Sequence, residues 1–217
     1  PDINDKLNLK RPNANSTVTL STGTFNIRKL YMREALNITG GSLTINYDPL
    51  YNFNVNVTDS LRSGPISAQF SGAVSMSGSA ALTVPALQVD ASQTFTLAGG
   101  TLTFNKISLL SSAKILVSGD VTLNPWNTNN ARYSSHTATI SGASATVDLG
   151  GGTRIFTIGN LADDVDVDVS TPITNGGLTK NGAGTLRRSG ANTFSGPVTV
   201  NAGVLRLNNA AGFSSNS

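Results

Sequence analysis

The densest chemistry in this sequence is a run of carboxylates, Asp163-Asp164-Val165-Asp166-Val167-Asp168-Val169. Its strict alternation predicts a strand with Val165, Val167 and Val169 on one face and Asp164, Asp166 and Asp168 on the other, in solvent. Three like charges on one face repel one another, and a Ca2+ ion would relieve that repulsion. The competing reading is a charged edge that keeps the sheet soluble and unpaired. Glycoside hydrolysis would need two carboxyls facing a groove about 5–9 Å apart. Glu34 is the only Glu and the other Asp residues are mostly isolated, so no such pair is visible. His136 is the only His and lacks a partner in sequence. There is no Gly-x-Ser-x-Gly elbow and no His-x-x-His or His-Glu-x-x-His spacing. The chain is therefore read as non-catalytic, with Ca2+ at Asp164, Asp166 and Asp168 as the one cofactor to consider.

A second kind of chemistry is sugar recognition, in which flat aromatic faces stack on sugar rings while amides and guanidinium groups bind hydroxyls. Aromatics make up only 6% of the chain, so their placement carries information. Phe25, Phe70, Phe95, Phe104 and Phe156 sit in apolar runs and read as core. Trp126 and Tyr133 instead flank Asn127, Asn129 and Arg132 in a stretch without periodicity, and Tyr47 and Tyr51 lie beside Asp48 and Asn52 in another. These residues are the candidate glycan platform. The alternative for Trp126 is that it covers the apolar side of its own corner.

Charge narrows the partners. Charged residues are 12% of the chain and the net charge is +3. Lys10-Arg11, Arg28-Lys29 and Arg187-Arg188 are the only basic clusters, with no aromatics between them, which argues against nucleic acid. With no Cys, disulfides and thiolate metal sites are excluded. No apolar run approaches the roughly 20 residues that span a membrane. Low charge with abundant Ser, Thr, Asn and Gly fits an exported bacterial β-solenoid, at the cell surface or outside it.

The elements that must carry these residues are short strands. Runs such as Thr17–Leu20, Val74–Met76 and Leu82–Val84 alternate, and Gly, Asn or Ser punctuate them. No window has the apolar spacing of a helix. The string Leu36-Asn-Ile-Thr-Gly-Gly-Ser-Leu-Thr-Ile-Asn46 returns as Phe95-Thr-Leu-Ala-Gly-Gly-Thr-Leu-Thr-Phe-Asn105, with a weaker echo from Val147 to Phe156. Such repetition marks a repeat architecture whose Gly-Gly pairs form a corner. The spacing of the strong copies, about sixty residues, suits three coils of about twenty, and roughly eight to ten coils in all. Residues 1–15 read as a lead-in or cap and 16–217 as one solenoid, with irregular insertions near 47–64 and 124–136.

From Gly176 to Asn209 the strand runs fall into one longer pattern. Leu178, Lys180, Gly182, Gly184, Thr185, Leu186, Gly190, Asn192, Gly196, Val200, Gly203, Leu205 and Leu207 match the autotransporter-associated β-strand repeat, which the segment resembles. Phe194 stands where that repeat has Tyr, and Arg188 where it has an apolar residue. The resemblance implies an all-β fold, a right-handed parallel β-helix. In size, fold type and missing catalytic carboxylates the whole chain is similar to β-helical carbohydrate-binding modules attached to xylanases. That similarity implies a non-catalytic module binding a plant polysaccharide, xylan first, with a glycoside hydrolase domain on the same polypeptide. The alternative, implied by the terminal repeat, is a passenger or stalk segment of an exported adhesin.

Overall fold

The computed structural model describes residues 6–9, 17–27, 29–45, 67–126, 137–161 and 163–208. Its regular structure is all strand, and every strand pairing is parallel. The chain turns repeatedly through three faces, so that each strand lies beside its counterpart in the next coil. Face A holds β2 (Thr17–Leu20), β5 (Ala35–Ile38), the starts of β8 (Val74–Val89) and β9 (Thr94–Leu109), β10 (Lys114–Val117), β13 (Thr146–Asp148) and β16 (Ile173–Thr174). Face B holds β3 (Thr24–Ile27), β6 (Ser42–Ile45), the middles of β8 and β9, β11 (Val121–Pro125), β14 (Thr153–Ile158), β17 (Gly177–Asn181) and β19 (Val198–Val200). Face C holds β1 (Lys6–Leu9), β4 (Lys29–Met32), β7 (Ala68–Phe70), the ends of β8 and β9, β12 (Ala138–Ser141), β15 (Val167–Val169), β18 (Thr185–Arg188) and β20 (Val204–Leu207). The described residues form a parallel β-helix of eight coils, with β1 preceding the first.

Alternation produces the core. Every second residue of a strand points inward, and parallel register stacks these residues into columns along the axis. On face C one column runs Leu30, Ala68, Leu87, Ile107, Ile140, Val169, Arg188 and Leu207. On face B another runs Leu43, Leu82, Leu102, Leu123 and Ile158. All the apolar residues in these columns are buried except Leu207, which lies in the last coil. Across the interior, the Phe70 and Phe95 rings meet edge to face with centroids 5.5 Å apart. Each such buried side chain contributes about 1.5–3 kcal/mol, and no other connected core is needed.

The Gly-Gly pairs do share one corner, between faces A and B. Ile38, Met76 and Leu97 align before it; Ser42, Ala81 and Thr101 align after it. A Cβ on Gly41 would lie 2.4 Å from the Gly23 carbonyl oxygen, and one on Gly100 would lie 2.4 Å from that of Ala80. At these two positions the preceding coil lies too close for any side chain, and both glycines have positive φ. The echo Gly150-Gly151-Gly152 occupies the same corner, between β13 and β14.

Three expectations are corrected. The strong copies are two coils apart, not three, because the chain between them includes the stretch 46–66 as well as one complete coil. Asn124 and Pro125 belong to β11 rather than to an insertion; residues 127–136 of that expected insertion lie outside the described residues. Phe25 is 41% exposed, not core: it projects inward over Leu43, but β3 has no described strand on its other side.

Candidate functional site

Of the proposed sugar-binding residues, Trp126 is described. Its N–H donates to the Phe104 carbonyl at 2.8 Å, so it continues the face B ladder for one residue beyond β11, and its side chain is half-buried. Asn127, Asn129, Arg132, Tyr133, Tyr47 and Tyr51 lie outside the described residues.

The carboxylate run departs from its predicted form. Val165, Val167 and Val169 are buried as expected. Only Val167–Val169 is strand, however, and the preceding residues form the corner between faces B and C. Asp166 is therefore not on a solvated face but is 1% exposed. One of its oxygens accepts the Leu161 N–H at 2.6 Å and the other the Thr185 N–H at 2.7 Å. A corner leaves backbone N–H groups without ladder partners, and a carboxylate can satisfy two of them at once. Asp168 does point outward, half-buried, and accepts from Arg187 at 2.8 Å and from the Ser189 hydroxyl at 3.0 Å. Asp164 is exposed and accepts both Arg206 guanidinium bonds, at 2.6 and 2.9 Å. Those bonds hold the Asp164 carboxyl below its usual range and push Arg206 up. The hydrogen bond to Asp168 likewise raises Arg187. Asp166 and Asp168 thus join the sixth coil to the seventh, and Asp164 reaches the eighth, rather than the three gathering around one cation. Among the described residues, no group of three or more His, Cys, Asp or Glu is placed to hold a metal ion.

The unexpected cluster lies behind this run, inside the last coils. Lys180 occupies an inward position of β17, aligned with Phe156 below it and Val200 above, and is fully buried. Its ammonium donates to the carbonyls of Asn181 at 2.9 Å, Gly182 at 2.8 Å and Ala202 at 3.0 Å. Burial lowers its pKa, and the charge of Asp166 opposes that shift. Arg188, also fully buried, has its pKa pushed down to about 10 by burial. Its guanidinium carbon lies 4.0 Å from the centroid of the Phe194 ring. Buried Asn192 accepts the Ile173 N–H at 2.8 Å and donates to the Gly190 carbonyl at 2.7 Å. In the sequence Lys180 and Asn192 stand out only as matches to the terminal repeat. The available signal was that Lys180 and Arg188 fall in phase with apolar neighbours on alternating strands.

Taken as chemistry, this cluster has no open side. Asp166, Lys180 and Asn192 bond backbone groups of their own and neighbouring coils, and the Arg188 guanidinium faces the Phe194 ring. Among the described residues no helix is long and apolar enough to cross a membrane.

Comparison with known proteins agrees with where this cluster sits. A family model described as the passenger-associated-transport-repeat matches residues 178–207, which is the span from β17 to β20. No curated protein matches the chain. No solved structure matches it either, so nothing here supports the similarity to xylanase-attached modules.

Proposed function

We propose that this chain is a structural segment of an exported passenger, a non-catalytic rod that holds other parts of its polypeptide at or beyond the cell surface. The observation that carries the reading is the passenger-associated repeat at 178–207, seated on the same continuous core as the coils before it. A rod needs only an apolar interior and a polar exterior, and each described coil supplies both. The buried polar cluster fits the role, because it fastens coils to one another. The test is deletion of residues 178–207 from the full-length protein in its own host, followed by antibody labelling of intact cells. The expected result is loss of surface signal while total protein is still made. Undiminished labelling would overturn the proposal.

Glycan binding is the second reading, favoured by the position of Trp126 at the edge of face B. Affinity electrophoresis in xylan, glucan and mannan gels separates the two. The structural reading expects unretarded migration in all three. Retardation that disappears in Trp126→Ala would establish the glycan reading instead.

A further inference from the structure

We propose that the buried polar side chains of the last three coils fix the register in which those coils stack. A one-residue slip in a parallel sheet is strongly opposed, because it turns every inward side chain outward. A slip of two residues is the close competitor, since it puts apolar residues back onto apolar residues. The middle coils have interiors of this interchangeable kind: Val74 and Met76 lie on Phe95 and Leu97, which lie on Ile115 and Val117. The last coils do not. Asp166 in the sixth coil accepts the N–H of Thr185 in the seventh. Lys180 in the seventh donates to the carbonyl of Ala202 in the eighth. Asn192 in the eighth accepts the N–H of Ile173 in the seventh. Each bond joins a buried side chain to one backbone atom of an adjacent coil. A two-residue slip would break all of them and strip each buried charge or amide of its partner in the adjacent coil, which is the penalty that makes buried polar groups register markers. Gly203 closes the arrangement: a Cβ there would lie 2.8 Å from the Lys180 ammonium.

Because the chain has no Cys, disulfide trapping can read the register directly. Thr179 and Thr199 are register partners on face B, and Asn201 is the residue that would face Thr179 after a two-residue slip. The variants Thr179→Cys/Thr199→Cys and Thr179→Cys/Asn201→Cys are oxidised separately, with and without Lys180→Met. Otherwise native chains should cross-link the first pair at least about tenfold faster than the second, and Lys180→Met should reduce that preference below about threefold while keeping its β-type circular dichroism. An unchanged preference in folded Lys180→Met overturns the proposal. If Lys180→Met loses its β spectrum, Asn192→Leu in the same cysteine backgrounds decides. A reduced preference there supports the proposal; an unchanged one, or loss of the β spectrum again, overturns it, since a register marker governs uniqueness rather than folding itself.

Discussion

The Arg188 guanidinium stands over the Phe194 ring at 4.0 Å from its centroid. At both positions the terminal segment departs from the repeat it resembles. The departures compensate each other. Arg188 fills an inward column that is apolar at every other described level, and Phe194 offers the negative face of its ring to the buried cation. A Tyr at position 194 would also need a partner for its hydroxyl in a place that is 4% exposed.

A double-mutant cycle tests this pairing. Phe194→Ala should cost about 3–5 kcal/mol, because it opens a cavity and uncovers a buried cation. In an Arg188→Leu background the same change should cost about 1–2 kcal/mol less. Urea unfolding followed by circular dichroism measures both. Strict additivity would show that the contact contributes nothing beyond packing.

The carboxylates at 164, 166 and 168 should respond to amide substitution in a fixed order. Asp166→Asn turns an NH2 donor toward one of the two backbone N–H groups it accepts from, leaving that group without an acceptor, and should cost about 1–3 kcal/mol. Asp168→Asn weakens a half-exposed ion pair and should cost under about 1 kcal/mol. Asp164→Asn should cost least, since both Asp164 and Arg206 are exposed. Val167→Asp, which places an unpaired carboxyl in the core, should exceed all three at several kcal/mol. Thermal melts of the four variants would give the order, and Asp164→Asn as the costliest amide would refute the assignment.

Acid stability should depend in part on Asp148. Burial raises its pKa, but the Gly150 N–H, the Asn175 amide and Lys114 together outweigh this and leave it lowered. A carboxyl lowered in the folded state contributes stability that is complete above its unfolded value, about 4, and is lost as pH falls through the folded value. Asp148→Asn should therefore flatten the decline in unfolding free energy below about pH 4 and leave its slope near neutrality unchanged. An identical acid limb in the variant would remove Asp148 from the explanation.

Corner glycines make a sharper prediction than any strand residue. Gly100→Ala must adopt a φ near +90° with its Cβ 2.4 Å from the Ala80 carbonyl oxygen. It should destabilise by more than about 2 kcal/mol, combining αL strain with displacement of the preceding coil. Ala98→Ser, an outward change just before the same corner, should fall within about 0.5 kcal/mol. Chemical denaturation of the pair is enough, and equal midpoints would refute the stacked-corner geometry.

The sequence by itself determined the parts of this protein that follow from local period. Alternation in Thr17–Leu20 or Leu82–Val84 selects strands and divides inside from outside, because side chains of an extended chain point to opposite faces in turn. The recurring Gly-Gly strings marked one corner in advance, since positions 41 and 100 leave no room for a Cβ. The terminal pattern from Gly176 to Asn209 identified the class of solenoid. Tertiary structure decided what depends on which coil lies above which. The distance between the Gly-Gly strings counts residues, not coils, so strings two coils apart read as three. Phe25 has the pattern of a core residue, yet it lies at an end of the described coils, where no described strand covers β3. Asp166 alternates as if solvated, yet the corner at which β15 begins carries it inward to Thr185, nineteen residues along the chain. Burial of a charged group is set by the backbone atoms that meet it from the next coil, and local sequence has no term for those.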